Sequence, residues 1–206
     1  MRLLNAETIE LVQFLPNKIP PYAILSHTWS TDPDEEVLFS DVGKEEAKQK
    51  PAYQQKVVPA CRKALEHGFD YVWIDTCCID KRSSAELQEA VNSMFKWYLH
   101  SSICFVYLED VPSKRDESMD SGIGNCLIIK SRWFTRGWTL QELVAPGNII
   151  FYSKYWDELG TRASLANLVS EKKKNWWENP YRIKSQGSST HYSQQKCCQQ
   201  DVMGSI

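Results

Sequence analysis

Short apolar runs and a helical repeat alternate in the middle of the chain. Residues 71–74 form a run rich in β-forming side chains, and residues 103–108 form a second one. Between them, Ser83 stands three residues before Glu86, which is the spacing of a helix-capping box. A strand, a helix and a strand in this order predict a βαβ unit with parallel strands. The apolar side chains of the predicted helix recur at three- and four-residue intervals, and they are Leu87, Val91, Met94, Phe95 and Tyr98.

The pattern predicts further elements on both sides of this unit. Residues 1–15 alternate weakly, as a strand does, and a helix over residues 56–67 ends at Gly68. Because strands alternate with helices, we predict an α/β domain with a mostly parallel sheet. Residues 75–81 and 111–125 are predicted loops, the other strands are residues 22–26, 37–39 and 149–152, and the other helices are residues 139–145 and 164–169.

Composition places the chain among globular proteins and divides it into two parts. Its 206 residues are 42% hydrophobic, which is enough for one domain with a buried core. From Glu171 onward, lysine, glutamine and serine replace most of the apolar residues. We therefore predict one domain over residues 1–170 and a polar, mobile tail over residues 171–206.

Charge and cysteine usage narrow the classes of partner. The net charge of −2 gives no reason to expect nucleic acid, and no apolar run approaches the ~20 residues that span a membrane. The first residues lack the apolar stretch of a secretion signal, and the seven cysteines form no Cys-x-x-Cys pair. We expect a reduced, cytoplasmic protein with neither a disulfide framework nor a metal site.

Candidate binding residues lie where predicted strands end. Ligands of open α/β sheets bind at the carboxyl ends of the strands. Ser26 and His27 end one predicted strand, and Asp75 follows another. His27 could contact a ligand or transfer a proton, but it could also be a buried structural histidine. Asp75 could bind a ribose hydroxyl or could only shape a turn.

Further residues could complete such a site. Trp29 could stack on a nucleotide base, or it could belong to the core. Lys81 could bind a phosphate, while Asp80 and Lys81 together could also be a solvated loop pair. Arg132 and Arg136 could bind phosphates in a bidentate manner or pair with acids at a protein interface.

Cys77 and Cys78 offer a different chemistry. A thiolate there, with His27 and Asp75 beside it, would make a cysteine hydrolase. The alternative is that both cysteines are buried, inert thiols. The spacing of these residues does not decide between the two.

Three long blocks of the sequence resemble the fungal heterokaryon incompatibility (HET) domain. They are residues 22–29 (YAILSHTW), residues 71–81 (YVWIDTCCIDK) and residues 132–146 (RWFTRGWTLQELVAP). Ser30 stands where the family usually has glycine, and the residues after 170 do not resemble the family's usual continuation. The resemblance implies a role in programmed cell death when genetically unlike fungal cells fuse.

The HET domain is in turn similar to the Toll/interleukin-receptor (TIR) domain, which implies a flavodoxin-like sheet with helices on both faces. Many TIR domains hydrolyse NAD with a glutamate in a Trp-Cys-Leu-x-Glu-Leu pattern. Residues 138–143 (WTLQEL) resemble that pattern, which implies that Glu142 is catalytic. A carboxylate there would stabilise the positive charge that builds on the ribose. Thr139 and Glu142 also have the spacing of a capping box, and the two roles are compatible.

The predicted function is therefore a cell-death signalling domain that self-associates, with NAD hydrolysis through Glu142 as its candidate activity. NAD would be a substrate rather than a cofactor. A non-enzymatic module that nucleates assembly and recruits other signalling domains is the alternative, and the cysteine hydrolase is a third hypothesis. The residues predicted to line the cleft are Ser26, His27, Trp29, Asp75, Asp80 and Lys81.

Overall fold

The computed structural model describes residues 1–113 and 123–167, and within them seven strands form one mixed sheet. The strands are β1 Arg2–Asn5, β2 Leu11–Gln13, β3 Ala23–His27, β4 Tyr71–Ile74, β5 Ile103–Tyr107, β6 Ile149–Tyr152 and β7 Glu158–Thr161. The α-helices are α1 Val58–Glu66, α2 Asp75–Cys78, α3 Ser84–His100, α4 Ile123–Lys130 and α5 Thr139–Val144. A π-helical turn, Tyr53–Val57, precedes α1, and 3-10 turns cover Pro33–Glu35, Glu45–Gln49 and Arg132–Thr135.

The strand order is β2-β1-β4-β3-β5-β6-β7, and the centre of the sheet is parallel. β3 pairs in parallel with β4 and β5, and β5 pairs in parallel with β6. β1 runs antiparallel to β2 and β4, and β7 runs antiparallel to β6. All described strands except β1 and β7 therefore run in one direction. The predicted α/β class with a mostly parallel sheet is confirmed.

The chain reverses its direction of travel across the sheet at β4. It crosses from β3 to β4 on one side through α1, and then returns past β3 to β5 through α3. Right-handed crossovers in opposite directions place α1 and α3 on opposite faces of the sheet. The carboxyl ends of β3 and β5, where His27 and Tyr107 are register partners, flank this topological switch point. Sheets of this kind bind ligands at such a point.

The core lies around the central strands. β3 and β5 are buried along their whole length, as expected of strands that are covered on both faces. Trp133 is fully buried and packs edge to face on Phe134, with ring centroids 4.8 Å apart, and on Phe151 at 6.0 Å. Because Phe151 belongs to β6, this packing anchors the segment that leads into α5 against the sheet.

Two predicted elements are wrong. Residues 37–39 are not a strand, because Asp41 holds Leu38 in a turn: its carboxylate accepts the N–H of Leu38 at 2.9 Å, and its own N–H donates to the Leu38 carbonyl at 2.9 Å. Residues 75–78 are a single helical turn rather than a loop. The carboxylate of Asp75 accepts the N–H of Thr76 at 2.8 Å, which satisfies one of the groups that a first helical turn leaves unpaired.

The predicted helix after Ser83 is confirmed, and half of its capping box forms. The Ser83 hydroxyl accepts the N–H of Glu86 at 3.3 Å. The Glu86 carboxylate does not return to the N–H of Ser83; it accepts the N–H of Asp80 at 2.8 Å and binds the guanidinium of Arg2 at 3.0 Å. Glu86 therefore ties the start of α3 to β1.

Some predictions concern residues that the structure does not describe. The tail over residues 171–206 lies outside the described residues, as do most of the predicted loop over 111–125 and the end of the predicted helix over 164–169. Within residues 1–113 and 123–167, no helix is long and apolar enough to cross a membrane.

Candidate functional site

Distant segments meet at the carboxyl ends of the central strands. The hydroxyl of Ser26, in β3, donates to Glu142 Oε2, in α5, at 2.6 Å, across a separation of 116 residues. The indole N–H of Trp133 donates to the same hydroxyl oxygen at 2.7 Å. All three residues are buried. The first and third of the three sequence blocks are therefore joined at the place where the sequence predicts the site.

The carboxylate of Glu142 is held on both of its oxygens. Arg136 donates from Nη1 to Oε2 at 2.9 Å and from Nη2 to Oε1 at 3.0 Å, which is a bidentate ion pair. Only 2% of Glu142 is exposed, and this burial raises the pKa of its carboxyl against the opposing effect of Arg136. The capping box with Thr139 does not form, because the Thr139 hydroxyl donates to the Trp133 carbonyl at 2.5 Å.

His27 is buried between two acidic side chains. Its Nδ1 lies 3.8 Å from Asp75 Oδ1, and its Nε2 lies 3.8 Å from Glu36 Oε2. Among the contacts of the described residues, Nε2 has no hydrogen-bond partner. Burial lowers the pKa of His27 well below its ordinary value, and the cations Lys56, Arg136 and Lys81 lower it further. His27 is therefore a neutral imidazole at neutral pH.

Asp75, Trp29 and Lys81 form the more accessible flank of the site. Trp29 Nε1 donates to Asp75 Oδ2 at 2.8 Å, and Lys81 Nζ lies 3.4 Å from the centroid of the Trp29 ring. Burial raises the pKa of Asp75 and lowers the pKa of Lys81. Trp29 is 46% exposed, so it does not belong to the core.

Asp80 is the predicted site residue that stands apart. Its carboxylate pairs with Arg82, which donates from Nε to Oδ1 at 2.9 Å and from Nη2 to Oδ2 at 2.9 Å. This pairing lowers the pKa of Asp80, and it keeps the carboxylate in the exposed loop. The solvated-loop interpretation therefore fits Asp80, whereas Lys81 joins the cluster.

A buried ion pair, which the sequence did not indicate, lies next to His27. Lys56 Nζ pairs with Glu36, donates to the Thr28 carbonyl at 2.9 Å, and lies 3.7 Å from Glu109 Oε2. Glu109 also pairs with Arg132. Glu36 lies in an acidic stretch, and Lys56 lies at the start of a predicted helix. Both positions are typical of solvated side chains, so nothing in the local sequence indicates that these two are buried.

The two neighbouring cysteines lack the ionised form that a nucleophile needs. Burial raises the pKa of Cys77 well above its ordinary value and raises the pKa of Cys78 to about 12. The Cys77 thiol donates to the Val37 carbonyl, at 3.3 Å. Both thiols are therefore protonated at neutral pH, and the geometry gives the cysteine-hydrolase hypothesis no support.

Metal-ligand geometry and open cavities are further clues to function. In the described part of the chain, no three His, Cys, Asp or Glu side chains are grouped so that they could hold a metal ion. A depression of about 490 Å³ is lined by residues such as Ile103, Asn148 and Arg162, at the opposite, amino end of β5 and β6. It does not include the predicted site.

The chain is similar in sequence to known proteins. The family profile described as "Heterokaryon incompatibility protein (HET)" matches residues 22–126. The chain is 44% identical over 175 residues to "Vegetative incompatibility protein HET-E-1" of Podospora anserina, in an alignment that covers 83% of this chain. It spans only 13% of the length of that relative. No solved structure matches the chain, so the predicted kinship with the TIR domain stays a prediction.

The family match extends over the strands that build the site, since residues 22–126 include β3, β4 and β5. The alignment with the Podospora anserina relative covers more of the chain, 175 residues at 44% identity. The family match includes two of the three blocks that carry the resemblance, residues 22–29 and 71–81. The chain belongs to the heterokaryon incompatibility (HET) family.

Proposed function

We propose that this HET domain acts in incompatibility-type cell-death signalling, and that it binds and hydrolyses an NAD-type nucleotide at the switch point when self-associated. The family and the relative support the signalling role. The meeting of Ser26 and Glu142 beside Asp75 is the observation that supports the nucleotide role, because open α/β sheets bind ligands at the carboxyl ends of their strands, where these two carboxylates lie. A cytoplasmic location and further signalling domains as partners belong to the same proposal.

The flank formed by Asp75, Trp29 and Lys81 supplies the groups that a dinucleotide needs. Asp75 would accept a ribose hydroxyl, and its side chain is 16% exposed. The exposed ring of Trp29 would stack on a base. The Lys81 ammonium would move from the Trp29 ring to a phosphate.

Arg136 links nucleotide binding to the chemistry. Its guanidinium now occupies both oxygens of Glu142. A diphosphate offers the same bidentate geometry with more negative charge, so it would draw Arg136 away from the carboxylate. Glu142 would then face the ribose and stabilise positive charge as the bond to nicotinamide breaks. Water adds to the ribose carbon as the bond to nicotinamide breaks, its proton passes to the solvent, and nicotinamide and ADP-ribose leave.

Nicotinamide release from NAD tests this proposal. The chain would be fused to an inducible dimeriser, incubated with NAD, and compared with Glu142→Gln and with the exposed Glu7→Gln as a matched control. We expect turnover in the clustered wild-type chain and in Glu7→Gln, and a loss of at least about 100-fold in Glu142→Gln. Absence of turnover in the clustered state, or equal turnover in all three proteins, would reject the catalytic part.

A non-enzymatic assembly module is the second candidate function. It is favoured by the same ion pair, since Glu142 is almost fully buried and both of its oxygens are bonded. In that case Glu142→Gln should leave cell-death signalling intact as long as the protein folds. Arg132→Glu, which reverses a half-exposed charge paired with Glu109, should then abolish signalling.

A further inference from the structure

A depression of about 490 Å³ lies at the end of the sheet away from the candidate site, where the amino ends of β5 and β6 meet the carboxyl end of β7. Three isoleucines line it, Ile103, Ile149 and Ile150, and Ile150 is only half-buried. Its volume is within the range of cavities that hold a drug-sized ligand, so it has room for a large side chain. Covering it with an apolar group would remove these isoleucines from water.

Arg162 lines the depression with a guanidinium group that is fixed in place. It donates to the carbonyls of Leu143 at 3.3 Å, Pro146 at 2.8 Å and Gly147 at 2.8 Å. Among the described residues, no acidic side chain forms an ion pair with Arg162. A planar guanidinium stacks well on an indole ring and pairs well with a carboxylate. The depression therefore suits an aromatic side chain with an acid beside it.

The described part of the chain ends close to the rim of this depression. Ala163 lines the depression, and the described residues end four positions later, at Asn167. The turn between them is attached to β7, because Ser164 Oγ accepts the N–H of Thr161 at 2.8 Å and the side chain of Leu165 is buried. The residues after Asn167 therefore start from a fixed point beside the depression.

The sequence after Asn167 contains an aromatic pair followed by an acid. Trp176 and Trp177 are adjacent, Glu178 comes directly after them, and few apolar residues follow. Trp176 comes nine residues after Asn167, and an extended chain of nine residues spans up to about 30 Å. Both indole rings can therefore reach the depression, and closing so short a loop costs little entropy. Glu178 would supply a carboxylate for Arg162.

We propose that residues 168–178 fold back over this depression, which is then the docking site for the chain's own C-terminal segment. The two indole rings would cover Ile150 and stack on Arg162, and Glu178 would pair with Arg162. The packed domain would then extend past its predicted end at residue 170. This contact lies at the opposite end of the strands from the proposed nucleotide site, and it does not depend on nucleotide binding or hydrolysis.

Hydrogen exchange in the full 206-residue chain tests the docking. The double variant Trp176→Ser with Trp177→Ser should speed the exchange of the amides in residues 147–150 and 161–163 about tenfold, because their cover is lost. Tyr192→Ser removes an aromatic side chain further along the same segment and should leave this exchange unchanged. Unchanged exchange in the double variant, or an equal increase in Tyr192→Ser, would overturn the proposal.

A matched pair of charges on the rim tests the docking from the side of the depression. Ala163→Glu adds a carboxylate where the indole rings would pack, whereas Ala166→Glu adds it at an exposed position of the same turn that does not line the depression. Trypsin should cleave after residues 172–174 about tenfold faster in Ala163→Glu than in the wild-type chain or in Ala166→Glu.

Equal cleavage rates in the three proteins would contradict the docking. A rate in the wild-type chain that falls as the protein concentration rises would mean that the segment of a second copy covers the depression, and this would overturn docking within one chain.

Discussion

Glu142 and Asp75 are carboxylates at the same edge of the sheet, but the fold treats them differently. Glu142 is enclosed by Arg136 and Ser26, with both oxygens bonded. Asp75 is partly exposed, and among the described residues its carboxylate accepts hydrogen bonds from the indole of Trp29 and from one backbone N–H. Burial raises the pKa of both. The flank that we propose to bind the nucleotide is therefore partly exposed, whereas the acid that we propose to act on it is enclosed.

Removing Arg136, the cation that pairs with Glu142, should have the largest effect on stability. Arg136→Met leaves the Glu142 carboxylate buried without a countercharge, and this should lower the free energy of unfolding by about 3–5 kcal/mol at pH 7.5. Without Arg136 the pKa of Glu142 rises further, so the carboxyl protonates more easily and the loss should shrink at pH 5.

Urea denaturation measures this effect, with Arg82→Met as the control. Arg82 also pairs with a carboxylate, Asp80, but the pair is exposed, so no measurable change is expected. Equal stability of the Arg136 and Arg82 variants would mean that Glu142 is not held as described.

Ser26→Ala should have the next largest effect. The hydroxyl both donates to Glu142 and accepts from Trp133, and its loss leaves two buried polar groups short of a partner. We expect the free energy of unfolding to fall by about 1–3 kcal/mol. Ser30→Ala removes an exposed hydroxyl that bonds Glu35, and should change stability by less than about 0.5 kcal/mol. If the two variants matched, the Ser26 hydroxyl would be dispensable to the cluster.

His27 should make the domain sensitive to acid. The unfolded chain binds a proton at His27 below about pH 6.5, whereas the folded chain keeps the imidazole neutral, so stability is lost as the pH falls. Between pH 7 and 5.5, the wild-type chain should lose about 1 kcal/mol more than His27→Gln. Replacement of the exposed His100 by glutamine should leave the wild-type pH dependence in place. Parallel curves for wild type and His27→Gln would contradict the neutral imidazole.

Substitution of Trp29, in the more accessible flank that it forms with Asp75 and Lys81, should have the smallest effect on stability. Trp29→Phe removes the N–H that Asp75 accepts but keeps a ring for Lys81, and should cost about 0.5 kcal/mol, because the site is partly solvated. Trp138→Phe is a matched control, since Trp138 is also 46% exposed. Thermal unfolding of both variants compares them directly. A larger loss of stability in Trp29→Phe than in Ser26→Ala would contradict the expectation that the buried cluster stabilises the fold more than the exposed flank does.

Much of the central architecture could be predicted from the sequence because its signals are local. The runs at residues 71–74 and 103–108 are strands, and Ser83 caps the helix between them. The rule that ligand sites lie at carboxyl strand ends brought Ser26 and Asp75 to one edge. These inferences needed only periodicity, turn signals and topology.

Partners between distant segments could not be predicted in this way. The pairing of Lys56 with Glu36 depends on how an irregular loop folds over α1, and no spacing records it. The sequence allowed Arg136 either to bind a phosphate or to pair with acids at a protein interface. The structure pairs it with Glu142 of the same chain. The apolar period of α3 located a helix, but it could not tell which strip of side chains faces the sheet, and Phe95 faces solvent.

The bond between Ser26 and Glu142 has a kinetic consequence. It closes a loop of 116 residues that contains β4, α3 and β5, so we expect it to form late, after those elements have docked. Since the Trp133 indole donates to the same hydroxyl, its burial should be among the last events in refolding, and a nascent chain would complete this cluster only once α5 has emerged from the ribosome.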